Sequence, residues 1–177
     1  HVIAAGRRTT IQNDISFILE HMKQSMARAI GNERVNGANS VVNVANIGAN
    51  QAIRIYIDAN GNGQRETAPG TDRWIAYRRI TSGVNEGQLQ YCPRCNNPNC
   101  VACAAPNPWG TAANILSRQI ETFTPTKPGG AILSDNFVDI QLTACWDSDG
   151  VPDACGTTAN PRVTMRSRIN MPFVSTN

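Results

Sequence analysis

The chain has 177 residues, a formal net charge of +3, 14 glycines and only 6% aromatic residues. That length gives one domain with a real core and is short for two. The arginines are scattered as on a solvated surface, so no nucleic-acid partner is expected, and no run approaches the roughly 20 apolar residues that span a bilayer. Six cysteines occur, Cys92, Cys95, Cys100, Cys103, Cys145 and Cys155. An even count in a small Gly- and Asn-rich chain points to an oxidising compartment.

In chain order, the first pattern is helical. Ile11, Ile15, Ile18, Leu19, Met22, Met26 and Ile30 recur at steps of three and four, with Gln12, Asn13, Glu20, Lys23 and Gln24 on the other face. This predicts one amphipathic helix from Thr9 to Ile30. Thr9 and Gln12 offer a capping box at its start, and Gly31-Asn32 a stop. Beyond Gly31 the period changes to two. Strands are expected at 41–47, 52–57, 73–80, 88–91, 115–123, 137–143 and 162–170. Ile53, Ile55 and Ile57 alternate with Arg54 and Tyr56, and Val163, Met165 and Ile169 with Thr164, Arg166 and Arg168. That is the mark of half-buried antiparallel strands. Asn60-Gly61-Asn62-Gly63, Pro128-Gly129-Gly130 and Asp149-Gly150 punctuate them as turns. The expected class is α+β: a long N-terminal helix packed on antiparallel sheet, in one domain spanning 1–177, with 1–31 helical and 32–177 β-rich.

The order of elements carries a resemblance. An Arg-rich entry leads into Ile11-Gln12-Asn13-Asp14-Ile15 and then Met22-Lys23-Gln24-Ser25-Met26-Ala27-Arg28-Ala29. A strand follows into the acidic turn Asp58 to Gly63, then Trp74-Ile75-Ala76-Tyr77-Arg78. A Cys-bounded loop, Asn160-Pro161-Arg162-Val163-Thr164-Met165 and Ile169-Asn170-Met171-Pro172 close the chain. This layout resembles the soluble part of type IV pilin-like proteins, of the PilW-like minor pilins and the J-class pseudopilins of type II secretion. The resemblance implies a structural subunit without catalytic residues, inner-membrane anchored before assembly through a longer native helix of which residues 1–31 are the remainder. It implies assembly with other pilin-like subunits into a periplasmic or cell-surface filament, which this chain initiates or caps. It makes Ile11, Ile15, Ile18, Met22 and Met26 candidate partner-binding residues. The alternative is a secreted β-rich binding or adhesion module stabilised by Ca²⁺ or Zn²⁺.

Three segments carry chemistry. Asp58, Asn60, Asn62, Glu66 and the Gln64 carbonyl space oxygens at alternate positions, a candidate calcium set, with Gly63 at the sharp turn. The spacing is like the start of an EF-hand loop, but Pro69 stands where the bidentate Glu belongs; a plain Asn-Gly hairpin turn is the simpler reading. Asp147, Asp149 and Asp153 form a second candidate calcium turn, similar to those of thrombospondin-type repeats, between Cys145 and Cys155, which are expected to pair and pin that short loop. The third is the Cys92, Cys95, Cys100, Cys103 cluster. It either forms nested disulfides, Cys92–Cys103 and Cys95–Cys100, around a tip at Asn96–Asn99, or a four-thiolate zinc site. Zinc ribbons keep their Cys pairs a dozen or so residues apart, which favours the disulfides in an exported protein. His21 reads as a surface or partner-facing residue. With His1 alone beside it, no His-based triad or zinc protease site assembles. Trp74, Trp109 and Trp146 read as core or loop anchors.

Overall fold

A computed structural model describes residues 2–34, 41–68, 71–106, 108–130, 133–147 and 154–176. The chain forms an α+β fold in which one N-terminal helix packs on antiparallel sheets. Helix α1 spans Val2–Met26. Strands follow as β1 Ile30–Asn32, β2 Val42–Asn43, β3 Gln51–Ile57, β4 Arg73–Arg79 and β5 Leu89–Cys92. After a 3-10 turn at Ala112–Asn114 come β6 Ile115–Ser117, β7 Ile120–Thr126, β8 Phe137–Cys145, β9 Arg162–Asn170 and β10 Phe173–Ser175.

Among the described residues the strands make three sheets. One is antiparallel in the order β2-β3-β4-β5-β6, a second is antiparallel β7-β8-β9, and a third is the two-stranded pair β1-β10. The last is parallel, with Ile30 opposite Phe173 and Asn32 opposite Ser175. Ile11, Ile15, Ile18, Leu19, Met22 and Met26 of α1 enter one core with Ile53, Ile55, Ile75 and Tyr77 of the first sheet and Phe123, Val138, Ile140, Leu142 and Ile169 of the second. Each such fully buried aliphatic side chain stabilises the fold by about 1.5–3 kcal/mol. The helix shares this core with both antiparallel sheets, which also meet directly: Arg79 Nε donates to the Ile120 carbonyl at 2.9 Å and Phe123 N to Gln51 Oε1 at 3.3 Å.

The helix begins and ends earlier than its periodicity predicts. Thr9 is not a cap: its hydroxyl donates to the Ala5 carbonyl at 3.0 Å, as Thr10 does to Gly6 at 3.1 Å. Each hydroxyl finds an acceptor one turn back, so neither interrupts the helix. The helix stops after Met26 because the next groups have partners elsewhere. Ala29 bridges to Ile57, and Asp58 N donates to the Arg28 carbonyl at 2.9 Å. Gly31 lies beyond this, inside β1, at φ 134°. A side chain there would run into the Arg65 guanidinium and Val41.

The strand expected over 115–123 is two strands with a break at Arg118-Gln119. Gln119 donates through Nε2 to the Trp146 carbonyl at 2.7 Å and accepts from Cys145 N at 3.0 Å. The break lets the chain pass from the first sheet to the second. Strand β3 also departs from the half-buried pattern. Arg54 and Tyr56, expected outward, are 4% and 7% exposed, because loops cover the back of the sheet as well.

Candidate functional site

The cysteine cluster supplies that cover. The structure contains three disulfides, Cys92–Cys103, Cys95–Cys100 and Cys145–Cys155. The first two staple residues 92–103 across the face of β3, β4 and β5 that points away from α1. Cys92, Cys100 and Cys103 are buried there with Ile47, Ala52 and Ala76, and Trp109 packs against them. Cys92, Cys95 and Cys100 are also the described residues whose ligand atoms come close enough together for a metal. In their disulfide form these sulfurs carry no thiolate to bind zinc.

Arginines thread this layer. Arg54 donates to the Asn99 carbonyl at 2.9 Å, the Asn43 side chain at 3.3 Å and the Ala45 carbonyl at 3.1 Å. Its Nε is buried without a partner, and burial lowers its pKa. Arg78 stacks over Trp109 at 4.1 Å and donates to Gln90 Oε1 at 3.0 Å. Burial brings Arg78 down to about 10, so it stays charged at neutral pH. The Trp109 indole donates to the Cys100 carbonyl at 3.2 Å. Asn107 lies outside the described residues; Trp109 is a loop anchor beneath the cluster.

The acidic segment 58–66 is part of a long connection between β3 and β4, not a tight hairpin turn. Asp58 accepts from Gly61 N at 2.6 Å and Gly63 N at 2.8 Å. Asn60 Oδ1 accepts from Asn62 N at 3.1 Å, and Asn62 Oδ1 from Gln64 N at 2.8 Å. Asn60 Nδ2 donates to Glu66 Oε2 at 2.7 Å. The Gly63 N–H, followed by that of Gly61, holds the Asp58 carboxyl below its ordinary range. The organiser the motif does not reveal is Asp72. It is buried at the root of the loop, accepting from Ala59 N at 3.2 Å and Glu66 N at 2.7 Å. Arg65 stacks over Tyr56 at 4.4 Å and closes the loop's other side. In the second acidic turn, Asp147 N donates to Asn160 Oδ1 at 2.8 Å. Asp149 and Asp153 lie outside the described residues.

Taken together, a helix laid across two antiparallel sheets and a disulfide-closed loop before the last long strand can be compared as an architecture. Over 92% of this chain and 97% of the other, it is similar to a type IV-like pilin from Thermus thermophilus, with a TM-score of 0.55 and 12% sequence identity. The fold is pilin-like. No family model and no curated protein sequence matches the chain.

The pilin-like arrangement corrects one assignment. Ile11, Ile15, Ile18, Met22 and Met26 were candidate partner-binding residues, but all five are fully buried in the chain's own core. Two antiparallel sheets already occupy that stripe, which takes it out of a partner's reach. Among the described residues, the large exposed apolar side chains of α1 are Ile3, at 73%, and Phe17, at 62%. His21, expected at the surface, is half-buried. Its Nδ1 lies 3.0 Å from the Tyr77 hydroxyl, and its ring meets Tyr91 edge-on with centroids 4.7 Å apart. No helix among the described residues is long and apolar enough to cross a membrane.

Proposed function

We propose that the chain is a structural subunit of a pilin-like filament, a minor pilin or pseudopilin of a type IV pilus or type II secretion system, initiating or capping assembly with other pilin-like subunits. The observation that carries this reading is the likeness in fold to a type IV-like pilin over nearly the whole of both chains. The physical logic agrees with it. One stripe of α1 is consumed by the chain's own sheets, while Ile3 and Phe17, off that stripe, are left exposed. A longer native helix would then anchor the subunit in the inner membrane and pack among its neighbours after export. The subunit works by assembly, with no catalytic step.

The test is the natural coding sequence upstream of His1. A short basic leader ending in Gly, with a Glu five residues on and an apolar half-helix, supports the proposal. A conventional cleavable signal peptide, or another folded domain, overturns it and puts a secreted binding module first. Loss of filaments or of secretion on deleting the gene is the matching functional readout.

Calcium at Asp58, Asn60, Asn62, Gln64 and Glu66, and at Asp147, Asp149 and Asp153, is a separate proposal, resting on the alternating oxygens. Binding to the folded state alone raises the unfolding temperature by mass action. An unfolding midpoint that does not move between EDTA and excess calcium rejects both sites.

A further inference from the structure

The connection between β3 and β4 contains two consecutive Asn-Gly pairs, Asn60-Gly61 and Asn62-Gly63, all four residues exposed. Asn is thermolabile, and Asn-Gly is its most vulnerable setting, since glycine has no side chain to hinder attack by its own nitrogen. The reaction is intramolecular. The glycine backbone nitrogen forms a bond to the Asn side-chain carbonyl carbon and gives its proton to hydroxide or another base. The side-chain nitrogen takes a proton from water or from that base's conjugate acid and leaves as ammonia, and a five-membered succinimide remains. Water then opens the ring at either carbonyl, yielding Asp or isoaspartate. The net change is amide plus water to carboxylate plus ammonium.

In this loop both attacking nitrogens are held by one side chain. Gly61 N donates to one oxygen of Asp58 at 2.6 Å, and Gly63 N to the other at 2.8 Å. The Asn side chains are held as well, Asn60 between Asn62 N and Glu66, and Asn62 by Gln64 N. A nitrogen bonded to a carboxylate must give up a charge-assisted hydrogen bond before it can attack. We propose that Asp58 guards Asn60 and Asn62, two latent deamidation sites, by occupying the glycine nitrogens that would otherwise close the succinimides. An aspartate is ionised throughout the neutral and alkaline range where this chemistry runs, so both bonds keep a charged acceptor there. The inference rests on the loop alone and stands whether or not the filament reading holds.

The experiment is site-resolved peptide mapping by mass spectrometry after prolonged incubation at mildly alkaline pH with EDTA, so that no divalent cation contributes. The third Asn-Gly pair of the chain, Asn36-Gly37, serves as the internal reference. The folded wild-type protein is expected to lose amide at Asn60 and Asn62 about tenfold more slowly than the same chain reduced and denatured, the scale set by one hydrogen bond to a charged group. Asp58→Ala is expected to remove about that protection at both sites without changing Asn36, and Asp58→Glu to restore part of it. An unchanged or slower rate in folded Asp58→Ala overturns the proposal, as does an equal rise at Asn36, which would report general loosening. Should Asp58→Ala not fold, the wild-type comparison decides alone: equal rates in folded and denatured chain overturn it.

Discussion

Lys127 and Glu33 form a buried ion pair, at 4% and 0% side-chain exposure. Lys127 also donates to the Val42 carbonyl at 2.7 Å, and Glu33 accepts from Val42 N at 3.4 Å and Leu133 N at 3.3 Å. Removing one partner of such a pair strands the other charge in the core. Lys127→Met is therefore expected to cost about 3–5 kcal/mol in urea unfolding, while replacing both partners by apolar residues recovers most of it. A double variant as unstable as the single one would show that the shape of the site matters more than its charge. His21 sets a pH dependence. Burial lowers its pKa from the ordinary 6.5, and Arg28 and Arg73 are the charges felt at the neighbouring Tyr91. The folded protein takes up this proton less readily than the unfolded chain. The contribution of His21 is complete above about 6.5 and is lost as pH falls from there through its lowered native value. Between neutral pH and about pH 5 the wild-type unfolding midpoint should fall more steeply than that of His21→Gln. Parallel slopes would assign the acid sensitivity to other groups.

Among the elements, the disulfides invite the most direct check. Cys145–Cys155 closes a short loop, and replacing both residues by Ser is expected to cost about 2–4 kcal/mol. Thiol labelling of the denatured, unreduced protein should mark none of the six cysteines; four labelled residues with bound zinc would restore the metal reading of Cys92, Cys95, Cys100 and Cys103. Some elements were legible from local pattern alone. Strand β9 runs over the residues its alternation predicts, because Thr164, Arg166 and Arg168 stay exposed on one face while Val163 and Ile169 are buried on the other. The double burial of β3 was not legible, since the cover over Arg54 and Tyr56 arrives from residues 92–103 and 58–66. Strands β1 and β10 span three residues each and pair across the length of the chain, so neither has a period to detect. At the acidic loop the Asp58 to Glu66 spacing was visible, but a lone Asp72 ahead of a strand carries no signal. Its role comes from folding back beneath Ala59 and Glu66.

At the scale of the molecule, α1 makes one core of two sheets, so the sheets should unfold together. Trp74 reports on the back of the first sheet, and Trp146 on the β8 end of the second. Tryptophan fluorescence and far-ultraviolet circular dichroism are expected to give coincident denaturation curves. A separate earlier fluorescence transition would mean that the stapled cover opens by itself. The outer face of the second sheet is a shallow polar groove in which Arg168 holds Asp139 by two bonds, at 2.9 and 3.1 Å, while Ile169 and Val163 turn inward. The parallel pairing of β1 with β10 has a mechanical side. Strand β1 begins four residues after α1 ends and lies beside the C-terminal strand, with Glu33 N donating to the Ser175 carbonyl at 2.9 Å. Tension drawn along the helix against the far end of the chain slides the two strands past each other, loading their hydrogen bonds together instead of one by one. The load path then runs from helix to C-terminus through a short clasp, and the sheets between them are spared the pull.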